Sequence, residues 1–247
     1  MIQCTSMRSV SAACRSSSAM MDFSDRVSEA LPAATAVVVR QSGSGREVLL
    51  LKRSDQLKHM PGLWVFPGGK VEPTDAGEGE LEQARHGAVR ELEEESGIVL
   101  SPSALQPFSY WLTPTVVKRR FSTWFFLAEV SSDTVVTVDG SEIVEHQWWP
   151  AARAIDAHQT GELPMTPPTL VSLYDIHNWQ GSDVLPADVV SPSPPVFFPR
   201  VVREGDTMTF LYEGDVAYDT GDLALTGPQH RTTGQGGIFS YQSSTSA

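Results

Sequence analysis

The run Arg90-Glu91-Leu92-Glu93-Glu94-Glu95-Ser96-Gly97-Ile98 constrains this chain more than any other stretch. On a helix, Glu91, Glu94 and Glu95 stand at i, i+3 and i+4, so three carboxylates share one patch. Leu81, Ala84, Ala88 and Leu92 form the neighbouring apolar stripe, which would dock the helix on a sheet. Like charges at such spacings repel by about 0.2–0.5 kcal/mol per pair on an exposed helix, and more strongly when desolvated. Something cationic should offset them. Oxygen-only donors suit hard divalent ions such as Mg2+ or Mn2+, and Arg90 can orient the acids through charge-assisted hydrogen bonds. A solvated acidic helix face is the competing reading. The glycine pair Gly68-Gly69, which closes a preceding strand, favours a site.

Periodicity places the remaining elements around that helix. Ala33 to Arg40 and Glu47 to Lys52 read as a hairpin across Ser42-Gly43-Ser44-Gly45. Leu63 to Phe66 is a short strand closed by Pro67-Gly68-Gly69, and the acidic helix runs from about Glu80 to Ser96, stopping at Gly97. Further strands are expected at Phe108 to Leu112, Phe121 to Glu129 and Ile143 to Trp149, and helices at Ala151 to His158 and from Pro167 to about Trp179. Trp148 and Trp149 should point to opposite faces of their strand, the default role of both being core packing. A Pro-rich connector then leads to a hairpin, Val196 to Arg203 and Thr207 to Tyr212, expected as an addition to the main domain, with covering the site or building a homodimer edge as an alternative role. The organisation expected is a disordered segment over 1–30, a main domain over 31–182, a connector and hairpin over 183–222, and a disordered tail over 223–247.

Composition closes off several classes of function. Of 247 residues, 18 are Lys or Arg and 30 are Asp or Glu, a formal net charge of -12 that argues against nucleic-acid binding. The two cysteines, Cys4 and Cys14, exclude a disulfide framework and a cysteine-built zinc site. No apolar run reaches the roughly 18 residues a membrane helix needs. Residues 1–21 lack the continuous apolar core of a secretory signal, so a cytoplasmic protein is expected, with a weaker likeness to an organelle transit peptide. Neither a G-x-S-x-G elbow nor a G-x-x-x-x-G-K-[ST] phosphate loop is present.

Gly69, Glu82, Arg90, Glu91, Leu92, Glu94, Glu95, Gly97 and Ile98 resemble the signature of Nudix hydrolases, G-x5-E-x7-R-E-U-x-E-E-x-G-U with U aliphatic. From Glu82 onward every specified position is filled. One departure is clear: 12 residues separate Gly69 from Glu82 where the signature has five, the extra ones falling in an Asp-, Glu- and Gly-rich loop. The resemblance implies an α/β/α sandwich with a mixed central sheet, here with a small C-terminal β extension. It also implies Mg2+- or Mn2+-dependent attack of water on a diphosphate in a small nucleotide derivative. The Gly68 carbonyl, Glu91, Glu94 and Glu95 match the family's metal ligands, with Arg90 orienting them. The general base varies within the family, so Glu91, Glu142 and Glu145 are all candidates, with Glu91 and Glu142 preferred.

Upstream, Arg53-Ser54, Leu57, Gly62 and Phe66-Pro67-Gly68-Gly69 resemble the pattern that precedes the box in coenzyme A diphosphatases, with Lys58 where that pattern prefers Arg. Trp111 to Pro114, Lys118-Arg119-Arg120-Phe121, Thr123 and Phe125-Phe126 are similar to the acyl-coenzyme-A-cleaving branch. These likenesses make Arg53, Lys58, Gly69, Lys118 and Arg119 candidate substrate-binding residues. Arg120 could join them, whereas His59 reads as an ordinary loop histidine. The substrate expected is coenzyme A or an acyl derivative, cleaved to 3',5'-ADP and a 4'-phosphopantetheine. Hydrolysis of ADP-ribose, NADH or a nucleotide sugar is the alternative, and a non-catalytic nucleotide-binding module is a third reading.

Overall fold

A computed structural model of the chain describes residues 28–43, 45–179 and 193–244. Strand β1 (Ala30–Ser42) and strand β2 (Gly45–Arg53) form the expected antiparallel hairpin, with Ser42 opposite Gly45. The short β3 (Trp64–Val65) extends the sheet from β2, and β4 (Gly68–Lys70) pairs antiparallel with β1, setting Gly69 opposite Ala34. Helix α1 (Glu80–Ser96) then leads to β5 (Gln106–Leu112), β6 (Arg120–Val130) and β7 (Ile143–Pro150). β6 lies parallel to β1 along Ala30 to Arg40, while β5 and β7 pair antiparallel with β6 and β2. The sheet is mixed, as an α/β/α sandwich requires.

Alternation along the strands decides which residues go to which layer. Ala34, Ala36 and Val38 of β1, with Leu49 and Leu51 of β2, bury against Ala84, Ala88 and Leu92 of α1. Val37, Val39, Val48 and Leu50 point the other way, toward α2 (Ala151–Gln159) and α3 (Pro167–Asn178). Small residues on α1 let the helix approach closely. At Gly87 an added Cβ would lie 2.8 Å from Asp75 Oδ2, so glycine is what lets the 71–79 loop fold onto the helix. Trp148 and Trp149 separate as expected: Trp148 packs on the α1 side and Trp149 on the α2–α3 side.

Two expectations about the C-terminal part need correction. The run Val196 to Arg203 is not one strand: β8 (Val196–Phe197) pairs parallel with β5, and β9 (Arg200–Glu204) pairs with β10 (Thr207–Leu211) in a second sheet. Pro199, which has no N–H to offer a ladder, stands at the break. The stretch expected to be a disordered tail instead supplies β11 (His230–Gln235) and β12 (Ile238–Ser243), giving an antiparallel sheet in the order β12-β11-β10-β9. Few apolar residues carry this order. Phe239 is 1% exposed among Phe210 and Tyr212. Arg231 reaches Asp215 through a bidentate pair at 2.7 and 2.6 Å, and the Phe239 amide donates to His158 Nε2 at 2.9 Å.

This sheet shares one core with α2, α3 and the main sheet, across from α1, so it does not cover the acidic helix. The segment expected to be disordered at 1–30 lies almost wholly outside the described residues, as do 180–192, which take in the last residues of the expected main domain and the first part of the connector. Among the described residues no helix is long and apolar enough to cross a membrane.

Candidate active site

Helix α1 carries the site, and its two ends are set by glycine: Gly79 precedes it and Gly97 closes it in the left-handed conformation (φ 69°), donating to the Glu93 carbonyl at 2.8 Å. Two of the acids face the diglycine strand. Glu95 Oε2 accepts a hydrogen bond from the Gly68 amide at 2.9 Å. Glu91 lies so close to Gly69 that a Cβ there would sit 2.4 Å from the carboxyl group. Gly68 is equally confined, since a Cβ on it would come 2.5 Å from the Ala34 carbonyl. Both glycines are therefore required by close approach of the strand to its neighbours.

The electrostatics of these acids follow from burial. Desolvation pushes the Glu95 carboxyl up to about 8; the Gly68 amide and Arg53 oppose this, and Glu91 and Glu142 reinforce it. Desolvation also raises Glu91, helped by Glu94 and Asp75, against the pull of Arg90. Glu94 is more open, with its side chain 58% exposed. Arg90 Nη1 donates to Glu91 at 2.9 Å and Glu94 at 3.1 Å, and its Nη2 donates to the Lys70 carbonyl at 3.0 Å. Among the described residues, no three Asp, Glu, His or Cys side chains converge into a ready cage for a metal. Glu91 and Glu94 are turned to Arg90 while Glu95 is turned to Gly68. The donor set nevertheless fits a hard divalent ion: all its atoms are oxygens, and burial raises the pKa of two of its carboxylates, a cost that a bound cation would offset.

Sequence reasoning missed Asp75. Its carboxylate accepts from Arg90 Nε at 2.9 Å, Arg90 Nη2 at 3.2 Å and the Glu72 amide at 2.8 Å. Burial opposes its ionisation, but the hydrogen bonds from Arg90 and Glu72 outweigh it and hold its pKa below the usual carboxylate range. Asp75 comes from the extra residues in the signature loop, so that insertion supplies the support of Arg90. No local signal marks it; an acidic loop residue becomes informative only once Gly87 and the loop are seen to meet. Glu82, by contrast, turns to Arg85 at 3.3 Å, and Arg85 reaches the Leu105 carbonyl.

The other candidates divide into two groups. Arg53, 17% exposed, lies 3.9 Å from the open Glu142 side chain, and the Glu142 carbonyl accepts from the Ser54 amide at 2.8 Å. Both lie near enough to Glu95 for their charges to act on it. Glu145 pairs with Lys52 at 3.3 Å instead. Lys58 and Lys118 are exposed on the β2–β3 and β5–β6 loops, and the Lys118 carbonyl accepts from Ser28 Oγ at 2.8 Å. Arg119 is exposed, with its guanidinium 5.2 Å from the Phe121 ring centre. Arg120 is not available to a ligand: it is buried and donates to the Thr113 carbonyl at 3.1 Å and the Ser28 carbonyl at 2.7 Å.

A mixed sheet between helices, with an acidic helix pressed on a diglycine strand, defines an α/β sandwich with one carboxylate-rich site. The NUDIX domain model matches residues 30–168, more than half of the chain, and the chain belongs to that family. It is 29% identical to nudix hydrolase 7 of Caenorhabditis elegans, over 54% of this chain and 58% of that protein. It is 24% identical to an acyl-coenzyme A diphosphatase of Xenopus laevis, over 53% of this chain and 59% of that protein. The chain thus spans under two thirds of each of these relatives. Among solved structures, a NUDIX hydrolase from Alicyclobacillus acidocaldarius is similar with a TM-score of 0.53 and 25% identity, covering 60% of this chain and 90% of the other.

Proposed function

We propose that this protein hydrolyses the diphosphate linkage of a nucleoside diphosphate derivative with the help of Mg2+ or Mn2+, and that its substrate is coenzyme A or an acyl-coenzyme A. The observation that carries this reading is the seating of two desolvated carboxylates, Glu91 and Glu95, against the Gly68-Gly69 backbone. Glu91, Glu94, Glu95 and the Gly68 carbonyl are the groups that would hold the ion. When bound, a divalent ion offsets charge on the diphosphate oxygens and makes water a better nucleophile.

The protein's own groups do the rest. Arg90, itself held by Asp75, keeps Glu91 and Glu94 oriented. Glu142, open to solvent and beside Arg53, takes the proton of the attacking water. Arg53 meets the substrate's negative charge. Water adds to one phosphorus as the bridging P–O bond breaks, giving 3',5'-ADP and the (acyl-)4'-phosphopantetheine. The coenzyme A assignment is supported by the residues around Arg53-Ser54 and by the likeness to the Xenopus laevis diphosphatase.

The test is product analysis by mass spectrometry after incubation with Mg2+ and a mixture of coenzyme A, acetyl-coenzyme A, ADP-ribose, NADH and a nucleotide sugar. Appearance of 3',5'-ADP with phosphopantetheine is the expected result. AMP formed only from the other compounds would retain the hydrolase reading and overturn the substrate.

A further inference from the structure

His59 sits in the β2–β3 loop with its Nε2 buried and without a hydrogen-bond partner among the described residues. Arg53 Nε is in the same condition. Buried polar atoms are almost always paired, so two orphaned ones in neighbouring groups call for a common explanation. The His59 ring lies 6.4 Å from the ring of Phe121, and Phe121 in turn carries the Arg119 guanidinium 5.2 Å away. The charges facing His59 are thus Arg53 from the end of β2 and Arg119 from the β5–β6 loop. Burial first, and then these two cations, hold the imidazole pKa below its ordinary value, so the ring is neutral at pH 7. The residue that follows, Met60, has a left-handed backbone (φ 51°), uncommon for any residue with a side chain.

We propose that His59 is a substrate-binding residue, and that its Nε2–H, Arg53 Nε–H and the Arg119 guanidinium together receive a phosphate group of the bound nucleotide. Two guanidiniums and a neutral imidazole face one another here, and a phosphate oxygen would accept hydrogen bonds from their N–H groups. Both orphaned atoms are closed to solvent, so binding there requires side chains of the β2–β3 loop to move as the ligand enters. The phosphate concerned is either the diphosphate itself or a phosphomonoester such as a 3'-phosphate. The inference rests on the proposed diphosphatase reading for its choice of ligand.

The experiment compares the wild type, His59→Ala and His59→Gln on coenzyme A, 3'-dephospho-coenzyme A and ADP-ribose. It also follows the 15N signals of the wild-type His59 ring as pyrophosphate and, separately, 3',5'-ADP are added. His59→Ala should raise KM by about 10- to 100-fold, the worth of one hydrogen bond to a charged group, with kcat within about twofold. His59→Gln, whose amide nitrogen can stand in for Nε2, should recover most of the loss and guards against a folding artefact. A loss confined to coenzyme A identifies the 3'-phosphate as partner, and a loss shared by all three identifies the diphosphate. Unchanged KM on every compound together with unmoved ring signals would overturn the proposal. If the wild type cleaves none of the three, the diphosphatase reading fails, and the ring titration alone decides for or against His59.

Discussion

Replacing Asp75 by Asn probes the support of the acidic helix directly. Asp75 is 5% exposed at its side chain and Arg90 29%. Asn keeps the shape but brings one acceptor oxygen and an N–H2 group to a place where Arg90 and the Glu72 amide all present donors. Breaking a fully buried ion pair costs about 3–5 kcal/mol. Arg90 is partly exposed and keeps Glu91, Glu94 and the Lys70 carbonyl, so a loss of about 2 kcal/mol is expected. For a chain of this size that lowers Tm by about 4–8 °C. Because the same guanidinium orients Glu91, kcat should also fall about tenfold, equivalent to roughly 1.4 kcal/mol. Asp75 has a folded-state pKa below its unfolded value, so its contribution is complete above about pH 4 and fades as pH falls through the folded value. The stability gap between wild type and D75N should therefore close in acid. Thermal melts from pH 3 to 7 and turnover at neutral pH check this. Equal melting temperatures with equal turnover would refute the view that Asp75 holds Arg90.

Other substitutions reach other parts of the molecule. Glu95→Gln should lower turnover by about 100-fold or more if Glu95 holds the ion. In protein stripped of divalent ions by chelation, E95Q should nonetheless be at least as stable as wild type above pH 5, since a carboxyl raised to about 8 loses folding stability as pH rises from its unfolded value toward 8; denaturation in chelator measures both halves. His158 has a folded pKa lowered by burial, with its Nδ1 hydrogen-bonded to the Leu163 carbonyl at 2.9 Å and its Nε2 to the Phe239 amide. Its contribution is complete above about pH 6.5 and is lost as pH falls from there toward the folded value, so urea midpoints should drop between pH 7.5 and 5, and less in His158→Gln. Phe239→Ala removes a ring that is 1% exposed, and a loss of about 3–5 kcal/mol of global stability, read by chemical denaturation, is expected if the C-terminal sheet is part of one core.

Helix α1 was legible because everything that defines it is local. The i, i+3, i+4 acids, the apolar stripe and the closing Gly97 lie within one stretch, and Glu80–Ser96 is the helix found. The strands of the main sheet were legible for the same reason, since alternation needs no partner to be seen. Asp75, His59 and Arg120 were not, because each takes its meaning from contacts that no helical or strand periodicity shows: Arg90 across a loop, Arg53 and Arg119 from separate elements, and the Thr113 and Ser28 carbonyls. The tail misled for a related reason. Its Gly, Gln, Ser and Thr residues carry no apolar pattern of their own, and the tail becomes two strands through pairing with β10, the Arg231–Asp215 ion pair and the packing of Phe239 beside His158. Spacing along the chain determined the acidic helix and its likeness to a hydrolase family; where charge is neutralised, left unpaired or buried was decided by contacts that exist only after the chain has closed on itself.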